Sequence, residues 1–238
     1  MVTSKSIKRK TFKLGADICG IAPVSRFTDA PKGFHPLDIY PDCKSVIVFG
    51  ARYPLSTLHA KTNSPYTMIR NMMVQKLDTI SFDLSDDLEK ERINAIPIPS
   101  SEPYDFWDAE RRHGRGILSL KHAGMLAGLG TIGKNTLLIN SRYGNMIWLG
   151  AVLVPLDLKP DALADYEGCI PKCTLCIDLC PQNALNEVTI DQQQCRKHVF
   201  SYTEGGECVL TCNLCRKVCP NYNGIKSNSK LSLVKGKI

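Results

Sequence analysis

The chain lacks what a membrane or secreted protein needs. No stretch of its 238 residues approaches the roughly 20 consecutive apolar residues of a bilayer-spanning helix. Residues 1–13 are basic, but no apolar run follows them, so a secretory signal is not expected and a cytoplasmic location is. Nor is there an even, dispersed set of cysteines. There are eleven, an odd number, and nine lie between Cys169 and Cys219. Clustered C-x-x-C spacings without a secretory signal exclude a disulfide scaffold and point to metal in a reducing compartment. Disorder is excluded as well, because 43% of the residues are apolar and can fill a core.

The formal charge is +7, which on its face suggests an acidic partner or nucleic acid. That count treats every cysteine as neutral. Eight thiolates holding two iron–sulfur clusters would add about −2 per cluster, leaving roughly +3. Much of the remaining bias sits at the chain ends, as at Lys226, Lys230, Lys235 and Lys237, and reads as a solvated terminus.

Two regions differ in character. Residues 1–158 read as an α/β domain. "SVIVFGARY" (45–53) is a buried-strand run, and Ile69, Met73, Leu77, Ile80, Leu84 and Leu88 step by three and four as on a long amphipathic helix. "INAIPIP" reads as an edge strand because of Pro97 and Pro99. "ILSLKHAGMLAG" reads as a helix closed by glycine. "TLLIN" and "NMIWLGAVLV" are strand-like and joined by the hairpin signal "SRYG". Parallel and antiparallel pairing are both expected. "LKPDALADYEG" reads as a linker into residues 159–238, where cysteines and turn residues prevail and inorganic clusters would substitute for a core.

"AGLGTIGKNT" (127–136) spells two phosphate motifs. Gly128, Gly130 and Gly133 give G-x-G-x-x-G, and Gly128 to Lys134 give G-x-x-x-x-G-K. Both readings fail on context. A helix precedes the glycines and a strand follows, the reverse of a dinucleotide site, and no acidic residue occurs about 20 positions on. Asn135 stands where a P-loop carries Ser or Thr. What remains is a glycine-rich turn, or a loop whose backbone closely approaches a large cofactor.

"CIPKCTLCIDLCP" places Cys169, Cys173, Cys176 and Cys180 as C-x3-C-x2-C-x3-C before Pro181. "CVLTCNLCRKVCP" repeats the pattern with Cys208, Cys212, Cys215 and Cys219 before Pro220. Bacterial ferredoxins use C-x2-C-x2-C-x3-C-P, with the fourth cysteine crossing to the other cluster. The expectation is two [4Fe–4S] clusters rather than zinc, since zinc knuckles need neither the trailing x3-C-P nor crossed ligands. Crossing assigns Cys169, Cys173, Cys176 and Cys219 to one cluster. Cys180, Cys212 and Cys215 go to the other, with a fourth ligand from Cys208, favoured by the repeat, or Cys195. Cys19 and Cys43 read as small buried hydrophobes.

"KHAGMLAGLGTIGKNTLLIN", "CTLCIDLCPQNAL", "DQQQCRKHVFSYTE" and "CNLCRKVCP" together resemble the epoxyqueuosine reductase family, and "LGADICGIAPV" and "HPLDIYPDCKSVIVFGARYP" agree with its smaller paralogues. The resemblance covers roughly residues 7–222. It implies an α+β chain: a nitroreductase-like, cobalamin-binding α/β domain shared with reductive dehalogenases, then a ferredoxin-like module with two [4Fe–4S] clusters. It also implies that Gly128, Gly130, Thr131, Gly133, Lys134 and Asn135 line a corrinoid, and it favours Cys195 as the fourth ligand. The implied activity is an oxidoreductase, fed by a low-potential electron donor, that passes electrons through the clusters to the corrinoid and a small substrate, or to a partner corrinoid protein.

Two features depart from the family. The catalytic Asp of its D-S-x-P-like segment has no counterpart in "RRHGRGILSLKHA", and Asp105 and Asp108 upstream cannot be matched to it. The given sequence ends 19 residues after Cys219, without the family's tRNA-gripping helical repeats. Epoxyqueuosine reduction in tRNA is therefore the least expected of the three activities, and the catalytic residue stays unassigned. His113, His122, Tyr53, Tyr104 and Tyr143 are candidate groups near the cofactor, weighed against ordinary packing.

Overall fold

The computed structural model describes residues 2–110 and 113–225. The basic tail from Lys226 onward, and the side chain of His113, lie outside the described residues.

In chain order the elements are α1 (Ser4–Lys13), β1 (Ile18–Pro23), α2 (Pro36–Ile39), β2 (Ser45–Arg52), α3 (Ser64–Lys90), β3 (Ile96–Ile98), β4 (Phe106–Asp108), β5 (His113–Arg115), α4 (Leu120–Leu126), β6 (Thr131–Ile132), β7 (Leu138–Ile139), β8 (Ile147–Val154), α5 (Leu175–Asp178), α6 (Gln192–Val199), β9 (Phe200–Tyr202), β10 (Cys208–Leu210) and α7 (Leu214–Lys217).

The frame is a four-stranded sheet in the order β1-β2-β8-β3. Its two central strands are apolar nearly throughout because both faces are covered. Side chains alternate across a strand, so Ile47, Phe49 and Ala51 face α3, where Met73, Leu77, Ile80, Leu84 and Leu88 form the matching stripe. Val46 and Val48 point the other way, toward Ala123 and Ala127 at α4. The long helix and the edge position of β3, where Pro97 sits, follow the sequence pattern.

Several sequence expectations are corrected. Every described strand pair is antiparallel. The expected parallel pairing does not occur among them, and coverage of both sheet faces accounts for the unbroken apolar strands without a crossover. "SRYG" does make a tight return, with Asn140 bridged to Gly144, yet β7 pairs with β6 while β8 joins the central sheet. The helix of "ILSLKHAGMLAG" starts only at Leu120 and closes where Gly128 takes φ +75°. The supposed linker is a strap bound along β1: Asp161 N–H donates to the Ile21 carbonyl (3.0 Å), and Ile21 N–H donates to the Asp161 carboxylate (2.8 Å).

From residue 159 onward only Ala184, Leu185 and Leu210 are buried apolar side chains among the described residues. Leu210 belongs to the α3-side core, and its N–H donates to Thr67 Oγ1 at 2.9 Å. The cysteine-rich part therefore borrows the main core through Leu210, with Val199, Phe200 and Tyr222 packed partly buried against it, and has almost no core of its own.

Candidate functional site

The cysteines form two groups of four. The thiols of Cys169, Cys173, Cys176 and Cys219 line one small closed cavity together with Asn135. Burial first, then repulsion from the neighbouring thiolates Cys169, Cys219 and Cys173, pushes Cys176 up to about 11. Cys219 is likewise pushed up to about 11, by burial and then by Cys169 and Cys173. The second group is Cys180, Cys195, Cys212 and Cys215. Cys195 rises to about 11 through burial and through interaction with Cys215, Cys212 and Cys180. Cys208 stands apart, exposed on β10 opposite Tyr202. The crossed pattern read from the spacing is the pattern of proximity, and of the two candidates for the fourth place it is Cys195 that meets Cys180, Cys212 and Cys215.

The local chain explains this convergence. The second cysteine of each C-x-x-C sits in a short helix, Cys176 in α5 and Cys215 in α7, and these two helices pack together. The last cysteine of each run leaves its helix toward the other group. Backbone amides point at sulfur: Lys134 N–H donates to Cys169 Sγ and Ala184 N–H to Cys180 Sγ, each at 3.3 Å. Among the described residues no three His, Cys, Asp or Glu side chains converge as a single ion requires. The first group lines a closed space, and four thiolates on this trailing x3-C-P spacing suit a cube of iron and sulfide. Four neighbouring thiolates repel one another, so cations between them are needed to hold all four deprotonated.

Two asparagines tie the groups to the sheet domain. Asn135, 3% exposed, faces the first cavity and donates to the carbonyl of Cys215 in the second group at 3.2 Å. Asn145, fully buried on the approach to β8, hydrogen-bonds Cys219 and lowers its pKa against the larger effect of burial.

The glycine loop has a role the sequence did not disclose. A Cβ on Gly128 would run into the Ala162 carbonyl, one on Gly130 into the Ile139 carbonyl, and one on Gly133 into the Ile139 side chain. The close approaches are to the chain's own strap and strand. Thr131 Oγ1 is buried without a partner beside Gly168, next to Cys169. Lys134 directs its amide to Cys169 and its ammonium to Glu187 (3.1 Å). The loop walls the first thiol group.

A cavity of about 700 Å³ runs along α4, lined from Leu118 and Ser119 before the helix to Met125 and Leu126 at its end, and none of the six loop residues lines it. Phe27, Phe34, Leu118 and Met125 give it apolar walls, while Arg26, Arg115 and His122 bring charge and donors. The β4–β5 hairpin contributes Gly114 and Arg115 and is held by α6: Arg196 lies over the rings of Tyr104 (5.4 Å) and Trp107 (5.1 Å) and donates to Tyr104 Oη (3.2 Å). Gln192, one helical turn before Cys195, completes the wall. The cavity thus abuts the helix that carries a thiol of the second group.

His122 lines this cavity, with Nδ1 2.7 Å from Ser119 Oγ. Burial, then the charge of Lys121, lowers its pKa below 6.5. The tyrosines are placed elsewhere. Tyr53 is fully buried and donates to the Tyr66 carbonyl (2.9 Å), Tyr104 is held by Arg196, and Tyr143 packs on the α4-side core. Cys19 and Cys43 are buried, with thiols pushed up to about 12 and about 11, and are inert.

No family model matches the chain. Over 112 aligned residues it is 37% identical to an epoxyqueuosine reductase of Lactococcus garvieae, covering 43% of this chain and 31% of that protein. Over 124 residues it is 33% identical to the enzyme of the same name from Staphylococcus aureus, covering 47% and 32%. Its curated relatives are epoxyqueuosine reductases. The matched stretch spans about a third of these reductases' own length. The structure of the Streptococcus thermophilus epoxyqueuosine reductase superposes with a TM-score of 0.65 at 19% identity, covering 94% of this chain and 67% of that one. A reductive dehalogenase described as B12-dependent gives 0.68 at 19% identity, over 94% of this chain and 32% of that one. The fold is the mixed helix-and-strand fold of both groups. No helix among the described residues is long and apolar enough to cross a membrane.

Proposed function

We propose that the chain is an iron–sulfur oxidoreductase of the epoxyqueuosine reductase-like type. The observation that carries this reading is the arrangement of eight cysteines as two crossed groups of four, with the second group one helical turn from a large, partly apolar cavity. In this reading Cys169, Cys173, Cys176 and Cys219 hold one [4Fe–4S] cluster, and Cys180, Cys195, Cys212 and Cys215 hold the other. A cobalamin, suggested by the B12-dependent neighbour, would supply the reducing centre that attacks the substrate. Its place is the cavity between α4 and the β4–β5 hairpin, since the loop from Gly128 to Asn135 is occupied with the chain's own backbone and the first thiol group.

The chain's own residues bind and orient. Phe27, Phe34 and Leu118 exclude water from the cavity, Arg26 and Arg115 place positive charge at its wall, and His122 holds a ring nitrogen there with its partner nitrogen fixed by Ser119. The low-potential donor approaches the cluster side. Among substrates, epoxyqueuosine is favoured by the names of the sequence relatives over an unrelated small molecule.

Anaerobic reconstitution should load about eight irons per chain, four for each group; a value of four or fewer defeats the two-cluster reading. The loaded protein, given cobalamin, dithionite and an epoxyqueuosine-bearing RNA stem loop, should yield queuosine by mass spectrometry. Unchanged RNA together with a full iron load would confine the reading to another substrate or to a partner corrinoid protein.

A further inference from the structure

A second, smaller cavity of about 200 Å³ also lies against α4, and the helix turns Lys121 to it and His122 to the large one. Ser100, Asn145 and Trp148 line it from the sheet domain and Arg216 from α7. Two of these side chains are cations, and no carboxylate lines the cavity among the described residues. Arg216 is 8% exposed. Taking a guanidinium out of water is unfavourable unless an anion or a full set of acceptors replaces the water. Its Nη1 donates to the Asn145 carbonyl, and its remaining N–H groups have no acceptor among the described residues. The guanidinium otherwise meets ring faces, 6.0 Å from the Tyr53 centroid and 5.7 Å from that of Trp148. Such rings attract a cation but do not cancel its charge. Arg70 meets the same Trp148 ring at 5.7 Å, yet Glu102 neutralises it at 3.1 Å. Lys121 donates to the Thr136 carbonyl at 3.0 Å and has no acidic partner among the described residues. Burial lowers its pKa below the ordinary 10.5.

We propose that Lys121 and Arg216 form a binding site for a phosphoryl dianion, either inorganic phosphate or the terminal phosphoryl group of a larger ligand. Two unpaired cations call for two negative charges. The planar guanidinium matches two oxygens of a tetrahedral anion, and the ammonium takes a third as a point charge. A carboxylate brings one charge and two oxygens, so it would satisfy Arg216 and leave Lys121 unanswered. The cavity has the volume of roughly six or seven liquid waters, enough for such an anion with part of its hydration. Leu138 and Leu149 in the wall keep the local dielectric low and strengthen the attraction. None of these residues is a thiol, so the site stands apart from the redox reading. Its occupant would join α4 of the sheet domain to α7 of the cysteine-rich part and stabilise their contact by binding only the folded chain.

The test is equilibrium dialysis of radiolabelled phosphate against the anaerobically reconstituted chain, with iron counted first. Phosphate should saturate at one per chain, and acetate should compete at least about tenfold less well. Adenosine monophosphate competing better than unlabelled phosphate names a larger phosphoryl ligand as the source. Weaker competition names the free ion, and either result supports the site. Arg216→Gln and Lys121→Gln should each weaken phosphate binding at least about tenfold. Lys217→Gln changes the net charge equally but removes an exposed lysine outside the cavity, and it should leave binding unchanged. No saturable binding, acetate as effective as phosphate, or an equal loss in Lys217→Gln would overturn the proposal. If Arg216→Gln loses iron, Lys121→Gln decides, since it lies on α4 away from the cysteines. Hydrogen exchange on the wild type gives an independent reading. Phosphate should slow exchange in α4 and α7 and leave α1 unchanged, although the exposed Lys5, Arg9 and Lys13 of α1 would collect a loosely held anion. Protection of α1 in place of α4 and α7 also overturns it.

Discussion

Cys195 and Cys208 carry the same thiol, on α6 and β10, but only Cys195 is half-buried beside three other cysteines. Cys195→Ser should therefore reconstitute with about four irons and Cys208→Ser with about eight; the opposite pattern would return Cys208 to the ligand set. The choice was closed to spacing alone because the repeat marks Cys208, and proximity in space has no sequence signal of its own. His122 gives a second prediction at this scale. Its pKa is lowered by burial and then by Lys121, so the folded chain binds that proton less readily than the unfolded chain. Its contribution to stability is full above about 6.5 and is lost as pH falls through the lowered value. The melting temperature should drop more steeply between about pH 7 and pH 5 in the wild type than in His122→Gln. Equal slopes would show that the ring is not held neutral by the fold.

The loop between α4 and β6 was placed by its order, while what its glycines approach was left open by the sequence. Helix-then-strand order was legible and rightly removed both nucleotide readings. The purpose of the glycines was not, because a close approach to a ligand and one to the chain's own carbonyls demand the same residue. Gly128→Ala meets the Ala162 carbonyl and forces a side chain into φ +75°. It should cost about 2 kcal/mol or more of stability in the metal-free as well as the loaded protein, measured by thermal or denaturant unfolding. A variant with unchanged stability but weakened cofactor binding would restore the loop as a cofactor rim. The strap at residues 158–168 is the other element that composition misjudged. Its Pro, Asp and Gly content reads as a linker, but one aspartate paired with the backbone of Ile21 ties it against the edge strand β1.

In the whole molecule the apolar material is distributed unevenly. The sheet carries a core on both faces, while residues 159–225 bury three apolar side chains among the described residues. Iron should therefore stand in for a core in the second part only. Removing it with an anaerobic chelator should abolish hydrogen-exchange protection across α5, α6 and α7 and leave β2, β8 and α3 protected. Uniform loss across the chain would mean that the two parts fold as one unit. The local code determined a good deal unaided: the apolar runs of β2 and β8, the three-and-four stepping of α3, the proline-marked edge at β3, and the crossed cysteine spacing, since each depends on residues close together in sequence. Tertiary structure alone decided that the strands pair antiparallel, that Cys195 rather than Cys208 joins the second group, and that the cavity runs along α4 without taking in the six loop residues. Each of these depends on which distant segments come into contact, and that is set by how the two faces of one sheet are covered.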